Sequence, residues 1–113
     1  MATVKRFEDL EIWQLARQLS KEIFELTKSG DLSKDFKLRD QMRSSSGSTM
    51  DNIAEGFERN GNKEFSQFLS IAKGSNGELR SQLTRIFDRE YITQTEFDYL
   101  CEKQKVFLKK YLH

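Results

Sequence analysis

The chain contains no proline, so nothing in it forces a helix to kink or stop, whereas an all-β sandwich usually needs several proline- or glycine-rich turns. It has one cysteine, Cys101, which excludes an internal disulfide and fits a reducing cytoplasm. Its one histidine is His113, the last residue, so a Ser-His or Cys-His catalytic pair would rest on a fraying chain end. No apolar run approaches the roughly 20 residues that cross a bilayer, and the opening MATVKRFEDL lacks the apolar stretch of a secretory signal. A large charge of one sign is missing as well. Nineteen basic residues against 18 acidic leave +1, where a strong polyanion binder usually carries a clear basic excess. These absences point away from membrane spans, secreted disulfide modules and the common nucleophilic enzymes.

What is present suits helices. A length of 113 residues supports a single domain over residues 1–113. With 33% charged and 36% hydrophobic residues, amphipathic helices with solvated outer faces are expected. Nine Phe among 12% aromatics argue against disorder. After a short basic lead-in over residues 1–6, four helical stripes follow.

The first stripe (residues 7–29) runs through Leu10, Trp13, Ala16, Leu19, Ile23 and Leu26, and Gly30 ends it. Trp13 on such a stripe reads as core, although an exposed tryptophan could stack on a base. The second (34–58) carries Leu38, Met42, Ser45, Thr49, Ile53 and Phe57, with Asp31 or Ser33 as its cap. Ser44-Ser-Ser-Gly-Ser-Thr49 resembles a flexible linker when taken alone. The period nevertheless passes through it unbroken, so helix is preferred there. Asn60-Gly61 marks a turn, and Asn62 is the expected cap of the third stripe (62–90). That stripe holds Phe65, Phe68, Ala72, Leu79, Leu83 and Ile86. Gly74 and Gly77 interrupt it, each disfavouring helix by about 1 kcal/mol. Tight packing of these glycines against the small residues of the second helix is expected. Thr93 and Glu96 form a capping-box pattern for the fourth helix (94–112), which carries Phe97, Leu100, Cys101, Gln104 and Phe107. Short connections between the four predict an antiparallel up-down-up-down four-helix bundle.

Chemistry is harder to find. Cys101 lies on an apolar stripe and reads as a small core residue. Di-iron bundles need Glu-x-x-His pairs, and none occurs; Glu55 and Glu78 facing inward without histidine would make a poor metal site. No phosphate-binding glycine loop is present either. The expectation is a protein with no catalytic residues, no metal and no cofactor. For nucleic acid, no segment is a basic arm, but a patch can form by juxtaposition. Arg59 and Lys63 flank the central turn, and Lys73 and Arg80, seven apart, share one side of the third helix. The plainer alternative is an ordinary solvated face. Asn52 and Glu55 with Ser75, Asn76 and Glu78 form a second polar group, read as interhelical hydrogen bonds that set register rather than as a binding site. Phe24, Met50, Phe87 and Tyr99 lie at the edges of their stripes, which predicts self-association.

A resemblance adds to this. Asn52-Ile-Ala-Glu-Gly-Phe57, Lys63-Glu-Phe65, Phe68-Leu-Ser-Ile-Ala72, Gly74-Ser75 and Glu78-Leu79, with Phe7-Glu-Asp-Leu10, Trp13 and Ala16 before them, resemble the small four-helix-bundle proteins encoded in intervening sequences of bacterial 23S rRNA genes. Asn52, Glu55, Gly56, Gly74, Ser75 and Glu78 are the motif positions. The resemblance implies an all-α up-down bundle assembled as a homo-oligomeric ring, often a pentamer. It also implies kinship with accessory proteins of diversity-generating retroelements, which bind nucleic acid and work with a reverse transcriptase. The polar run Arg43-Ser-Ser-Ser-Gly47 and the near-neutral charge depart from that pattern. Two functions are therefore expected in order: an accessory protein binding structured RNA or an RNA-processing partner, then a protein-interaction scaffold with no nucleic-acid partner.

Overall fold

The structure is a computed structural model that describes the backbone of residues 3–112 and the side chains of residues 3–110. Expectations that fell on Met1, Ala2 and His113, and on the side chains of Tyr111 and Leu112, lie outside the described residues. Among those described there are four α-helices and no strand: α1 (Glu11–Thr27), α2 (Phe36–Glu58), α3 (Asn62–Asp88) and α4 (Gln94–Phe107). Short 3-10 turns precede α1 (Phe7–Asp9) and α2 (Asp31–Lys34), and wider π-type turns follow α4 (Leu108–Leu112). The body measures 46 × 23 × 19 Å, so the 27-residue α3, about 40 Å long at 1.5 Å per residue, spans most of it. No helix among the described residues is long and apolar enough to cross a membrane.

Helix ends depart from the sequence reading in informative ways. The first helix starts only at Glu11 because Leu10 is extended, its N–H taken by the Phe7 carbonyl at 2.9 Å. The Phe7 ring then packs edge-on against Trp13 at 5.1 Å. α2 is capped by neither Asp31 nor Ser33. Asp35 does it, accepting from the Leu38 N–H at 3.4 Å, while the Ser33 hydroxyl turns back to the Gly30 carbonyl. The second oxygen of Asp35 accepts from the Tyr91 hydroxyl at 2.9 Å and from Arg89, so this one carboxylate ties the α1–α2 connection to the end of α3. Asn62 is not a cap either; it is the first residue of α3, behind extended Gly61, after a turn in which Asn60 takes φ 60°. The end of α3 is a Schellman closure with Glu90 at φ 61°. The Tyr91 N–H reaches the Ile86 carbonyl, and the Glu90 N–H reaches that of Phe87. Thr93 and Glu96 form the expected capping box.

The serine-rich run is helical throughout, as the unbroken period predicts. Buried Ser45, Ser46 and Thr49 return their hydroxyls to the carbonyls of Met42, Arg43 and Ser45, so they need no water. Two apolar clusters make the core. The larger joins Leu19, Ile23, Leu38, Met42, Leu79, Leu83, Ile86 and Leu100 with Leu32 and Ile92 from the connections. The smaller joins Ile12, Ala16, Ile53, Ala72 and Phe107. Between them on three successive helices lie Thr49, Asn76 and Gln104, at most 1% exposed. The core thus has a polar waist. Trp13 sits at the edge of the smaller cluster, half-buried.

One expectation about close packing is overturned. A methyl group added at Gly74, Gly77 or Gly47 would meet nothing within 4 Å, and Gly74 and Gly77 are exposed. The helices close instead at Gly56, where an added Cβ would stand 2.6 Å from the Cβ of Phe68. Only a residue without a side chain fits under that ring.

Candidate functional site

Two groups of residues stood out in the sequence, and the fold treats them differently. In the polar group, Asn52 donates to the carbonyl of Ser48 at 2.8 Å and to its hydroxyl at 3.0 Å; that hydroxyl pairs with Ser75 of α3 at 2.9 Å. Asn76 turns the other way, toward α4, where Gln104 Nε2 donates to its carbonyl and to its Oδ1, each at 3.0 Å. Glu55 and Glu78 do not face inward. Both are exposed, Glu55 paired with Arg59 at 3.1 Å and Glu78 accepting from Gln82 at 3.2 Å. Gln82 completes the bridge by accepting from buried Ser45 at 2.6 Å. Ser48 with Ser75, Ser45 with Gln82 and Asn76 with Gln104 join helices, while Asn52 bonds within α2 and Asn76 Nδ2 is buried without a partner. Ser45, Ser48 and Gln82 belong to the network too; their hydroxyl and amide types signalled it, but only the pairing of α2 with α3 shows which of them meet.

The basic residues are spread along the molecule. Arg59 sits at the α2–α3 turn, paired with Glu55 and lying 5.3 Å from the Phe68 ring centre, so part of its charge is already answered. Lys63 is exposed in the first turn of α3. Lys73 lies ten residues on, about 15 Å along the helix axis. Arg80 follows two helical turns later, within about 20° of the same direction. Lys63, Lys73 and Arg80 form no ion pair among the described residues.

The structure adds a cation that periodicity could not supply. Burial pushes the Cys101 thiol of α4 up from its ordinary value of 9.0, while Arg80 and Lys105 both pull it down, which places these two cations on either side of the α3–α4 seam. Lys105 is exposed and likewise in no ion pair among the described residues. Between Lys73 and Arg80 lie Gly74 and Gly77, both exposed with open space where a side chain would stand. Ser66, Ser70 and Thr84 continue that outer face of α3, all exposed and none acidic. Two glycines leave the helix backbone bare between two unpaired cations, so a polyanion could approach closely there. Among the described residues no cluster of three or more His, Cys, Asp or Glu side chains could hold a metal ion.

Comparison with known proteins agrees with this architecture. No curated protein matches the chain. Among solved structures it is similar to a protein of unknown function from the S23 ribosomal protein family of Bacteroides thetaiotaomicron VPI-5482, with a TM-score of 0.74 and 19% identity. The match covers 90% of this chain and 99% of that one, and at such identity it shows the fold alone. The family model for the 23S rRNA-intervening sequence protein matches residues 8–111, nearly the whole chain, and the chain belongs to that family.

Proposed function

We propose that this protein is a non-enzymatic accessory protein of the cytoplasm that binds structured RNA, or a protein working on RNA, as a homo-oligomeric ring. Its protomer is an antiparallel up-down-up-down bundle. The pairing of Gly56 with Phe68 at one end of the α2–α3 seam and of Ser45 with Gln82 further along supports that topology. A ring, pentameric by the family resemblance, would repeat any basic patch around its rim. The observation that carries the RNA reading is the outer face of α3: Lys73 and Arg80 are unpaired among the described residues and separated by bare glycines, and Lys105 is exposed on the neighbouring α4.

The experiment is a titration of a labelled structured RNA hairpin at about 50 and about 200 mM salt. Micromolar or tighter binding that weakens at least tenfold between the two is expected, because each neutralised phosphate contributes close to one unit of log–log slope. Lys73→Ala with Arg80→Ala should lower that slope by about two; Arg59→Ala, whose cation is shared with Glu55, should lower it by less. No binding at the lower salt removes the RNA reading. A scaffold that takes a protein partner is the second reading. It is favoured by a net charge of only +1 and by exposed Phe24, Tyr99 and Val106.

A further inference from the structure

The α1–α4 side of the molecule is its loosest. α1 and α4 meet more sparsely than α1 does with α2 or α3 with α4, and the gap between them forms a groove. One part of it, with a volume of about 830 Å³, runs from Gln14 to Leu26 along α1 and faces Tyr99 and Leu100. The adjoining part, about 520 Å³, shares Gln18 and Tyr99 with the first and continues to Val106 and Phe107. Its floor is apolar, and Tyr99 and Val106, each 49% exposed, stand in it uncovered. The stretch from Gln14 to Leu26 corresponds to about 18 Å of helix, or three turns.

The charges around this floor are not balanced. Five acidic side chains against three basic ones line the two parts, an excess of two carboxylates on a chain whose formal charge is +1. One of the three cations, Lys103, is already engaged: it lies 3.7 Å from Glu22 and 5.1 Å from the centre of the Tyr99 ring. The Tyr99 hydroxyl donates to the same Glu22 oxygen at 2.7 Å, and the other oxygen of that carboxylate is buried with no partner. A groove with an apolar floor at Tyr99 and Val106 and an acid-rich rim matches the ridge of an amphipathic helix whose flanks carry lysine or arginine.

We infer that the α1–α4 groove docks a basic amphipathic helix of a partner protein, its apolar ridge on Tyr99 and Val106 and its cations toward the exposed Glu102 and Asp98. This site is separate from the α3 face used for RNA, so either can fail without the other.

The probe is a labelled synthetic helix of about 14 residues with leucine at i, i+3, i+4 and i+7 and lysine on both flanks. Its control carries glutamate in place of lysine. In fluorescence anisotropy against the full chain, the lysine peptide should bind at least tenfold more tightly than the control. Val106→Ser should weaken it at least fivefold, and Glu102→Lys at least threefold. Both positions are exposed on α4, so far-UV circular dichroism should be unchanged. RNA binding by the two variants should match the parent protein.

Equal affinity for the two peptides, or no loss on Val106→Ser, overturns the inference. So does a Val106→Ser protein whose mass in analytical ultracentrifugation drops while the parent ignores the peptide. In that case the groove is covered by a second copy of this chain.

Discussion

The end of the bundle around Leu83 and its waist around Asn76 are packed on opposite principles. At the end, ten buried apolar side chains from all four helices and both flanking connections close on one another, with Leu26, Phe87, Tyr91 and Phe97 packed around them. Such contacts are strong but tolerant, because burial rewards area and is indifferent to direction. At the waist, Thr49, Asn76 and Gln104 are buried, and the Asn76–Gln104 hydrogen bonds accept only one alignment. The waist is also imperfect: Asn76 Nδ2 and Gln104 Oε1 are buried without partners. The apolar end therefore supplies most of the stability, and the waist fixes how the helices slide past one another.

The largest effect expected from breaking this contrast is at the apolar end. Leu83→Ala removes a side chain of 0% exposure and should destabilise the protein by about 3 kcal/mol in urea unfolding, since the bundle can only partly collapse around the cavity. Gln104→Leu should cost about 2 kcal/mol, because it strands the Asn76 side chain in the core. The double variant Asn76→Leu with Gln104→Leu should recover to within about 0.5 kcal/mol of the parent, or exceed it, since no orphaned amide is left. If the double variant is as unstable as the single, the waist is more than a register device.

The glycines sharpen the comparison further. Gly56→Ala should destabilise by about 1–2 kcal/mol, because the new methyl meets the Phe68 Cβ rather than the end of a flexible chain. Gly77→Ala, in open space, should stabilise by about 0.5–1 kcal/mol through helix propensity alone. Opposite signs in thermal melts are the expected result.

The smallest effect concerns pH. The Tyr91 hydroxyl, with smaller help from the Leu38 N–H and Arg89, holds Asp35 below its ordinary value of 3.8 against the opposing effect of burial. A carboxyl lowered in the folded state stabilises above its unfolded value, and that contribution fades as pH falls through the folded one. The gap in melting temperature between parent and Asp35→Asn should therefore be full near neutrality and should close in the acid range below about pH 4. Tyr91→Phe should narrow it.

Much of this architecture was legible without coordinates, because helical periodicity is a property of a single segment. Burial of Leu38, Met42, Ile53, Leu79, Leu83 and Ile86 follows from their spacing. The helicity of the serine run follows from a period that survives it, and the α4 capping box from Thr93 and Glu96. What spacing cannot carry is the register between helices. Gly56 and Gly74 look alike in the chain, yet one lies beneath Phe68 and the other faces open space, since that depends on which residue of a neighbouring helix arrives opposite. The same holds for edge aromatics: Phe87 is taken up by stacking on Phe97 at 4.5 Å, while Tyr99 stays exposed in the α1–α4 groove.

Charge obeys the same division. The sequence by itself determined an all-α chain of four amphipathic segments with no strongly basic stretch. Only the tertiary structure decided that Lys103 is answered by Glu22, that Arg80 of α3 acts on Cys101 of α4, and that acids outnumber bases along the α1–α4 groove. Hydrophobic burial is set largely by a residue's own helix. Pairing, cavities and surface fields arise from distances between residues far apart in the chain, and those exist only once the helices have docked.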